Sequence, residues 1–365
     1  MLMSKFFPLP LYAFLRIAGS NGGFSLKGLT RAIPWFLKMS VAEPFRWIEL
    51  ATKNKIIKEH TIQKPPVFIL GYYRSGTTYL QQMFMQDERF GYMSLYQTIF
   101  PELMLTFEHT LTPVLELLAK LVKAKNPFHR IPLTWHSPGE EDVGLTGMVS
   151  PYAMQWGYLF PQKINHYLEK YVLFENVCRD EIQDWKNTYL YLLKKLSIAN
   201  KNRQLVLKNP PNTARIKMLL SLFPGAKFIH IHRNPYEVYA SNKRLLEMTR
   251  DIYMLGRSRS VNFCNIILDT YSKMMTRYLQ DKALIPPWQL IELRYESFIE
   301  NPVDSMKNIY HRLNLGDFSY CEPAITAYAR KQKNYSLLKH RLPHDEQNIV
   351  SEKWKKFIEY YNYQH

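Results

Sequence analysis

A short apolar segment, residues 67–70, runs directly into a turn bounded by two glycines. A strand that ends in such a turn and continues as a helix points backbone N–H groups and the positive end of the helix dipole at an anion. An arginine inside the turn adds a planar fork of donors that suits a bridging oxygen or a sulfonate. The sequence therefore predicts an anion-binding loop with the donors Arg74, Ser75, Gly76, Thr77 and Thr78.

This loop departs from the loop that binds nucleoside triphosphates. Its spacing, Gly71 and Gly76 followed by two threonines, imitates G-x-x-x-x-G-K-S/T, but Thr77 occupies the lysine position. That lysine normally reaches the β- and γ-phosphates, and such enzymes also hold Mg²⁺ with a strand-end aspartate. The sequence shows neither feature, so a P-loop nucleotide kinase is kept only as an alternative.

Two further candidate sites lie at the ends of predicted strands. Arg233 follows the predicted strand 227–232, and Ser241 comes eight residues later, two turns into the next predicted helix. Together they offer a bidentate cation and a hydroxyl donor to a second phosphate. Lys208 follows another predicted strand, residues 204–207, at the carboxyl edge where open α/β sheets bind ligands. A solvated surface charge is the alternative for this lysine.

These segments resemble the sulfotransferases that depend on 3′-phosphoadenylyl sulfate (PAPS), whose phosphosulfate loop reads Arg or Lys followed by Ser-Gly-Thr-Thr. The loop that begins at Arg74 is similar to the arginine branch, which includes the tyrosylprotein enzymes and many bacterial members. The resemblance covers roughly residues 64–360 and returns in order at residues 207–241, 290–306 and 335–361. In the last of these segments, Lys339 or Arg341 could reach the nucleotide.

The resemblance implies that a sulfuryl group moves from PAPS to an acceptor hydroxyl or amine by in-line displacement, without a metal. It implies that the loop holds the phosphosulfate and that Arg233 and Ser241 clamp the 3′-phosphate. Arg74 and Lys208 would then neutralise the charge of the transferring group.

The acceptor must lose a proton, and the candidate bases lie in residues 134–143. His136 stands close to where soluble sulfotransferases carry a catalytic histidine, whereas Glu140 and Glu141 match an acidic patch common in the bacterial branch. Histidine accepts protons near neutral pH, and burial can raise the pKa of a glutamate. A loop histidine and an acidic first helical turn are the structural alternatives. The base stays open, so a catalytically inactive homologue is a second alternative.

Strands alternate with long helical segments along the chain. This pattern predicts an α/β, P-loop-like three-layer fold with a central parallel sheet of about four to five strands flanked by helices. Four strands are predicted, at residues 67–70, 204–207, 227–232 and 289–294. Residues 1–63 are predicted to be a helical N-terminal extension of short helices interrupted by prolines, and residues 64–365 to be the sulfotransferase domain.

Lys and Arg number 48 against 31 Asp and Glu, which gives a formal charge of +17. Such a charge attracts anionic partners. We nevertheless expect no nucleic acid, because nucleic-acid binding would not require Arg233 and Ser241 at their offset behind the loop. Three cysteines, at positions 178, 264 and 321, form no C-x-x-C motif, which fits a reducing, cytoplasmic location.

No apolar segment reaches the roughly 18 residues of a transmembrane helix. Residues 1–63 mix aromatic with basic side chains and are a candidate for peripheral membrane contact. Residues 145–160 are apolar and aromatic, which indicates either a hydrophobic acceptor pocket or core packing. A small-molecule, lipid or saccharide acceptor stays open, as does the oligomeric state.

Overall fold

The computed structural model describes residues 9–123, 133–332 and 342–364. The chain divides into two compact units. The helical unit comprises residues 1–63, 92–202 and 248–261, and the sheet unit comprises residues 64–91, 203–247 and 262–365. The predicted division into an extension and a domain at residue 64 stays a prediction.

The sheet unit is built on five parallel strands, which confirms the predicted sheet of four to five strands. The strands are β1 (Val67–Leu70), β2 (Phe90–Gly91), β3 (Gln204–Lys208), β4 (Lys227–His232) and β5 (Leu290–Arg294). Their order is β2-β3-β1-β4-β5, so β1 lies at the centre. The strand that the sequence did not predict is β2, whose two residues are too short to show a pattern.

The α-helices are numbered in chain order over the described residues. They are α1 (Pro10–Ser20), α2 (Leu26–Glu59), α3 (Thr77–Phe84), α4 (Leu95–Ile99), α5 (Glu108–Leu121), α6 (Glu141–Gly147), α7 (Gln155–Leu159), α8 (Ile164–Leu168), α9 (Arg179–Ala199), α10 (Ile216–Leu222), α11 (Pro235–Ile252), α12 (Phe263–Asp281), α13 (Tyr295–Glu300), α14 (Pro302–Arg312), α15 (Glu322–Gln332), α16 (His344–Lys353) and α17 (Lys355–Tyr360). None of these helices has both the length and the apolar character needed to cross a bilayer.

The central strand β1 is buried on both faces. Val67 and Ile69 belong to a buried cluster that also contains residues from α3, α14 and α15. Phe68 points to the other face, where its ring centroid lies 6.3 Å from that of Phe223, the residue after α10. A strand covered by helices on both faces is continuously apolar, as this one is. The predicted three-layer arrangement is confirmed.

Helix α2 corrects the expectation of short helices interrupted by prolines, because it runs unbroken through Pro34 and Pro44. A proline inside a helix removes the hydrogen bond to the carbonyl four residues earlier. Those carbonyls belong to Thr30 and Ser40, which are exposed, as are both prolines. At exposed positions water can take the place of the missing donor, which lowers the cost of continuing the helix.

A buried ion pair holds part of the helical unit together. The Glu49 carboxylate on α2 lies 2.6 Å from the Lys195 ammonium on α9. Its second oxygen accepts backbone N–H bonds from Leu105 and Thr106, both at 3.0 Å. Removing one member would leave a buried charge uncompensated, which typically costs about 3–5 kcal/mol.

Candidate active site

The predicted anion loop contains two glycines in unusual conformations. Gly71 follows β1 with φ +148°, and a Cβ there would lie 2.6 Å from the Ile231 carbonyl oxygen. Gly76 has φ +94°, and a Cβ there would lie 2.2 Å from the ring of Tyr295. The Gly71 N–H donates to Thr213 Oγ1 at 2.8 Å. Only glycine fits either position without movement of the surrounding structure.

Arg74 lies at the centre of the loop in a left-handed conformation, with φ 69°. A non-glycine residue held there stores strain, which proteins concentrate at ligand sites. Its Nε donates to Ser241 Oγ at 2.9 Å, and its carbonyl accepts a bond from Arg233 Nη1 at 3.3 Å. The structure therefore brings together three residues that the sequence predicted to share a site.

Arg233 is oriented from two further directions. Its Cζ lies 4.6 Å from the ring centroid of Tyr295, a cation–π contact, and its Nη2 lies 3.1 Å from Glu237 Oε2. Tyr295 thus contacts Arg233 and also closes the space beside Gly76. Burial raises the pKa of Tyr295, an effect that the charge of Arg233 opposes.

The other residues predicted to donate to an anion directly follow Arg74 in the chain, where the loop leads into α3. Ser75 and Thr77 are buried and Thr78 is half-buried, and α3 begins at Thr77. The first N–H groups of a helix have no partner within the helix. This end of α3 therefore presents donors beside Arg74, as an anion loop requires.

Lys208 is the last residue of β3 rather than the residue after it, because the strand is one residue longer than predicted. It is buried, and its Cα pairs with that of Ile69, two residues before Gly71. Lys208 therefore lies one strand away from the start of the loop. The alternative interpretation of Lys208 as a solvated surface charge is wrong, because the residue is buried.

The three candidate bases lie in the helical unit. His136 is exposed, its backbone N–H donates to Thr134 Oγ1 at 3.3 Å, and its backbone carbonyl accepts from Tyr92 Oη at 3.2 Å. Glu140 precedes α6 directly, and Glu141 is the first residue of that helix and is buried. Both acids thus occupy the helix start that was the structural alternative for them. The choice of base stays a prediction.

A carboxylate that the sequence analysis did not select is Glu108, at the start of α5. It accepts hydrogen bonds from Gln97 Nε2 at 2.9 Å and Ser94 Oγ at 3.4 Å. Burial raises the pKa of Glu108, and the hydrogen bonds from Gln97 and Ser94 oppose that rise. Its only sequence signal was an acid in the first turn of a helix, which is common in proteins.

A hydrogen-bonded chain holds the residues on either side of Arg233. His232 Nδ1 lies 2.9 Å from Tyr363 Oη, which donates to Glu296 Oε2 at 3.0 Å. The other oxygen of Glu296 accepts the backbone N–H of Asn234 at 2.9 Å. Burial, the largest cause, lowers the pKa of His232 to about 4, so its imidazole is neutral at pH 7. Nothing in the sequence linked these distant residues.

The apolar segment 145–160 packs inside the helical unit. Seven of its apolar side chains are buried: Leu145, Val149, Ala153, Met154, Trp156, Leu159 and Phe160. The Trp156 ring lies 6.0 Å from Phe14 and 5.9 Å from Trp35. Of the two interpretations of this segment, the structure favours core packing.

Two other observations concern ligands. Over residues 9–123, 133–332 and 342–364 no cluster of three or more His, Cys, Asp or Glu could hold a metal ion. The prediction that transfer needs no metal stays a prediction. Lys339 and Arg341 lie outside the residues that the structure describes.

The parallel sheet and the glycine-bounded loop after β1 define a P-loop-like α/β protein. The profile of the family described as the sulfotransferase family matches residues 65–319. Over 309 residues the chain is 31% identical to "Omega-hydroxy-beta-dihydromenaquinone-9 sulfotransferase Stf3" of Mycobacterium bovis and of Mycobacterium tuberculosis, which covers 84% of this chain and 77% of each relative. The chain belongs to the sulfotransferase family, and neither finding supports a nucleotide kinase.

Solved structures show the same fold. Sulfotransferase STF9 from Mycobacterium avium superposes with a TM-score of 0.72 at 17% identity, over 92% of this chain and 86% of that one. Sulfotransferase STF1 from Mycobacterium tuberculosis superposes with a TM-score of 0.69 at 19% identity, over 95% and 91%. The predicted fold class is confirmed by these bacterial sulfotransferases.

Proposed function

We propose that the protein is an active sulfotransferase that takes a sulfuryl group from PAPS. The observation that carries this proposal is the convergence of Arg74, Arg233 and Ser241 around a strained, glycine-bounded loop. A loop of this kind suits one anionic group, and an arginine with a serine at a fixed distance suits a second. PAPS carries both a phosphosulfate and a 3′-phosphate.

In this proposal the backbone of the loop, with Ser75, Gly76, Thr77 and Thr78, binds the phosphosulfate, and Arg233 with Ser241 binds the 3′-phosphate. PAPS supplies the sulfuryl group: the acceptor oxygen or nitrogen bonds to sulfur while the bond from sulfur to the phosphate oxygen breaks, and adenosine 3′,5′-bisphosphate leaves. Arg74 and Lys208 neutralise the charge that this displacement spreads over the sulfuryl oxygens.

The acceptor proton passes to a base, for which His136, Glu140 and Glu141 are the candidates. His136 is exposed. Glu141 is fully buried at the start of α6. We keep the base as a choice among these three residues.

We propose a hydroxyl-bearing lipid as the acceptor, in preference to a saccharide. The support is the curated relative, whose name gives a hydroxylated menaquinone derivative as its substrate. A lipid acceptor also agrees with the proposed contact of residues 1–63 with a membrane. We further propose that the reaction is cytoplasmic, since Cys178, Cys264 and Cys321 are free thiols.

A thermal-shift titration with adenosine 3′,5′-bisphosphate, ATP and GTP, each with and without Mg²⁺, tests the donor site. A ligand at 100 times its dissociation constant stabilises a fold by about 2.7 kcal/mol. We expect the bisphosphate alone to raise the melting temperature, independently of Mg²⁺, and Arg233→Ala to remove most of that rise. A Mg²⁺-dependent response to ATP or GTP instead would refute the proposal. Binding without any turnover would identify an inactive homologue.

A further inference from the structure

The middle part of helix α2 has charged residues on its covered side and apolar residues on the outside. Lys38 lies 2.8 Å from Glu102, Glu49 pairs with Lys195 at 2.6 Å, and Arg46 is buried. The exposed side instead carries apolar residues three or four positions apart: Leu29, Ile33, Leu37, Val41, Phe45 and Ile48. This arrangement reverses the usual amphipathic pattern of a surface helix in water.

Two other helices of the helical unit also expose apolar side chains to solvent. On α1, Leu11, Tyr12 and Leu15 are exposed, and on α5, Val114, Leu117, Leu118 and Leu121 are exposed. Ring contacts tie both regions to α2: Phe14 stacks on Trp35 with centroids 5.6 Å apart, and Phe45 meets Phe107, directly before α5, at 5.1 Å. We call the exposed apolar side chains of α1, α2 and α5 the apolar surface.

The exposure of this surface is large for individual side chains. Leu37 is 61% exposed, Val41 is 65% exposed, and Leu121, the last residue of α5, is 69% exposed. Single exposed apolar residues are ordinary, but a repeated series on three helices of one unit marks an interaction site.

The charges beside the apolar surface are almost all of one sign. Among the described residues of α1, α2, α5 and positions 122–123, the exposed basic side chains are Arg16, Lys27, Lys55, Lys58, Lys120 and Lys123. The exposed acidic side chain there is Glu59. Apolar residues flanked by lysine and arginine are the composition of helices that lie in the interface of an anionic bilayer.

We propose that the apolar surface docks on an anionic lipid bilayer, with its apolar side chains among the upper acyl chains and its basic side chains at the phosphates. Contact in the plane of the membrane also fits α2, which is 34 residues long but does not have the apolar character of a spanning helix. The proposal extends the membrane contact of residues 1–63 to α5. It rests on the proposed function only in that a lipid acceptor would be reached at this surface.

The test is flotation of the full chain with vesicles of phosphatidylglycerol and phosphatidylcholine in equal parts, and with vesicles of phosphatidylcholine alone. We expect binding to the anionic vesicles that high salt weakens without abolishing. The triple variant Ile33→Glu, Leu37→Glu and Val41→Glu should lower the partition coefficient by roughly tenfold or more, since it places three charges in the acyl region. The three side chains are exposed, so the fold should be retained.

The matched control is Leu284→Glu, Trp288→Glu and Tyr320→Glu, which changes three exposed apolar residues of the sheet unit and the same amount of charge. It should bind vesicles as the wild type does. Equal losses in both triple variants, or no flotation of the wild type, would overturn the proposal. So would a wild-type dimer in sedimentation that the α2 variant dissociates, because a second copy would then cover the surface.

The same three proteins are titrated with adenosine 3′,5′-bisphosphate. Vesicle binding without a bisphosphate response would refute the proposed function and leave the docking surface standing. A bisphosphate response in every variant, together with equal vesicle binding in all of them, would refute docking alone.

Discussion

Arg74 Nε donates to Ser241 Oγ across 2.9 Å, although the two residues are 167 positions apart in the chain. The bond ties the anion loop after β1 to α11, the helix after β4, so the two proposed phosphate positions share a structural link. Ser241→Ala should weaken binding of adenosine 3′,5′-bisphosphate by about tenfold, the typical effect of one lost hydrogen bond to a charged group. Calorimetric titration measures this.

The control for that variant is Ser221→Ala, whose exposed hydroxyl bonds only within its own helix, to the Met218 carbonyl. It should bind the bisphosphate as the wild type does. An unchanged affinity in Ser241→Ala would remove this residue from the proposed 3′-phosphate site.

Gly76→Ala should destabilise the fold and distort the loop, because the new Cβ would meet the Tyr295 ring at 2.2 Å with φ at +94°. We expect a loss of about 1–3 kcal/mol in the free energy of unfolding, measured by urea denaturation. Gly19→Ala is the control: its site on α1 has no atom within 4 Å, and alanine favours a helix. Similar losses in both variants would contradict the steric explanation.

Lys208→Ala should lower turnover by about a hundredfold or more, because it removes a charge proposed to stabilise the transferring group. Adenosine 3′,5′-bisphosphate has no sulfuryl group, so its affinity should stay near that of the wild type. The control is Lys217→Ala, whose side chain is 56% exposed. A parallel loss of turnover and bisphosphate affinity would assign Lys208 to binding instead of catalysis.

His136→Asn, Glu140→Gln and Glu141→Gln should separate the candidate bases. Removal of the base should lower kcat by about a hundredfold or more and abolish one limb of its pH profile, whereas the other two variants keep both limbs. Because Glu141 is buried, the melting temperature of its variant must be compared with that of the wild type. Three near-normal variants would leave none of these residues as the base and would direct attention to Glu108.

His232 should make the fold sensitive to acid. Its pKa in the fold is about 4 against an ordinary 6.5, so the unfolded chain binds more protons between these values. The stabilisation is complete above pH 6.5 and is lost as the pH falls toward 4, with a magnitude on the order of 3 kcal/mol. His232→Asn keeps a donor for Tyr363. In this variant the urea concentration at the unfolding midpoint should change less between pH 7 and 4.5 than in the wild type. If the urea midpoint of the variant falls with pH as steeply as that of the wild type, His232 is not the cause of the sensitivity to acid.

The parts of the candidate site that could be predicted from the sequence are those formed by residues close together in the chain. A glycine-bounded turn between a strand and a helix identifies the Arg74 loop. The spacing of eight residues predicts that Arg233 lies at the end of a strand and Ser241 on the helix that follows. The sequence did not predict contacts that depend on the tertiary fold. Tyr363 reaches His232 only after the chain returns to the sheet, and the Tyr295 ring closes the space beside Gly76. No periodic pattern records such pairings.

In the proposed docking, the prolines of α2 limit how deeply this helix can enter the bilayer. Pro34 and Pro44 cannot donate to the carbonyls of Thr30 and Ser40, which lie among the exposed residues of the helix. A carbonyl that loses water without gaining a donor costs several kcal/mol in hydrocarbon. The helix can therefore immerse its leucine and valine side chains only to the depth at which water still wets its backbone. In the proposed docking, the two prolines therefore hold α2 at the interface between water and hydrocarbon and keep it out of the bilayer interior.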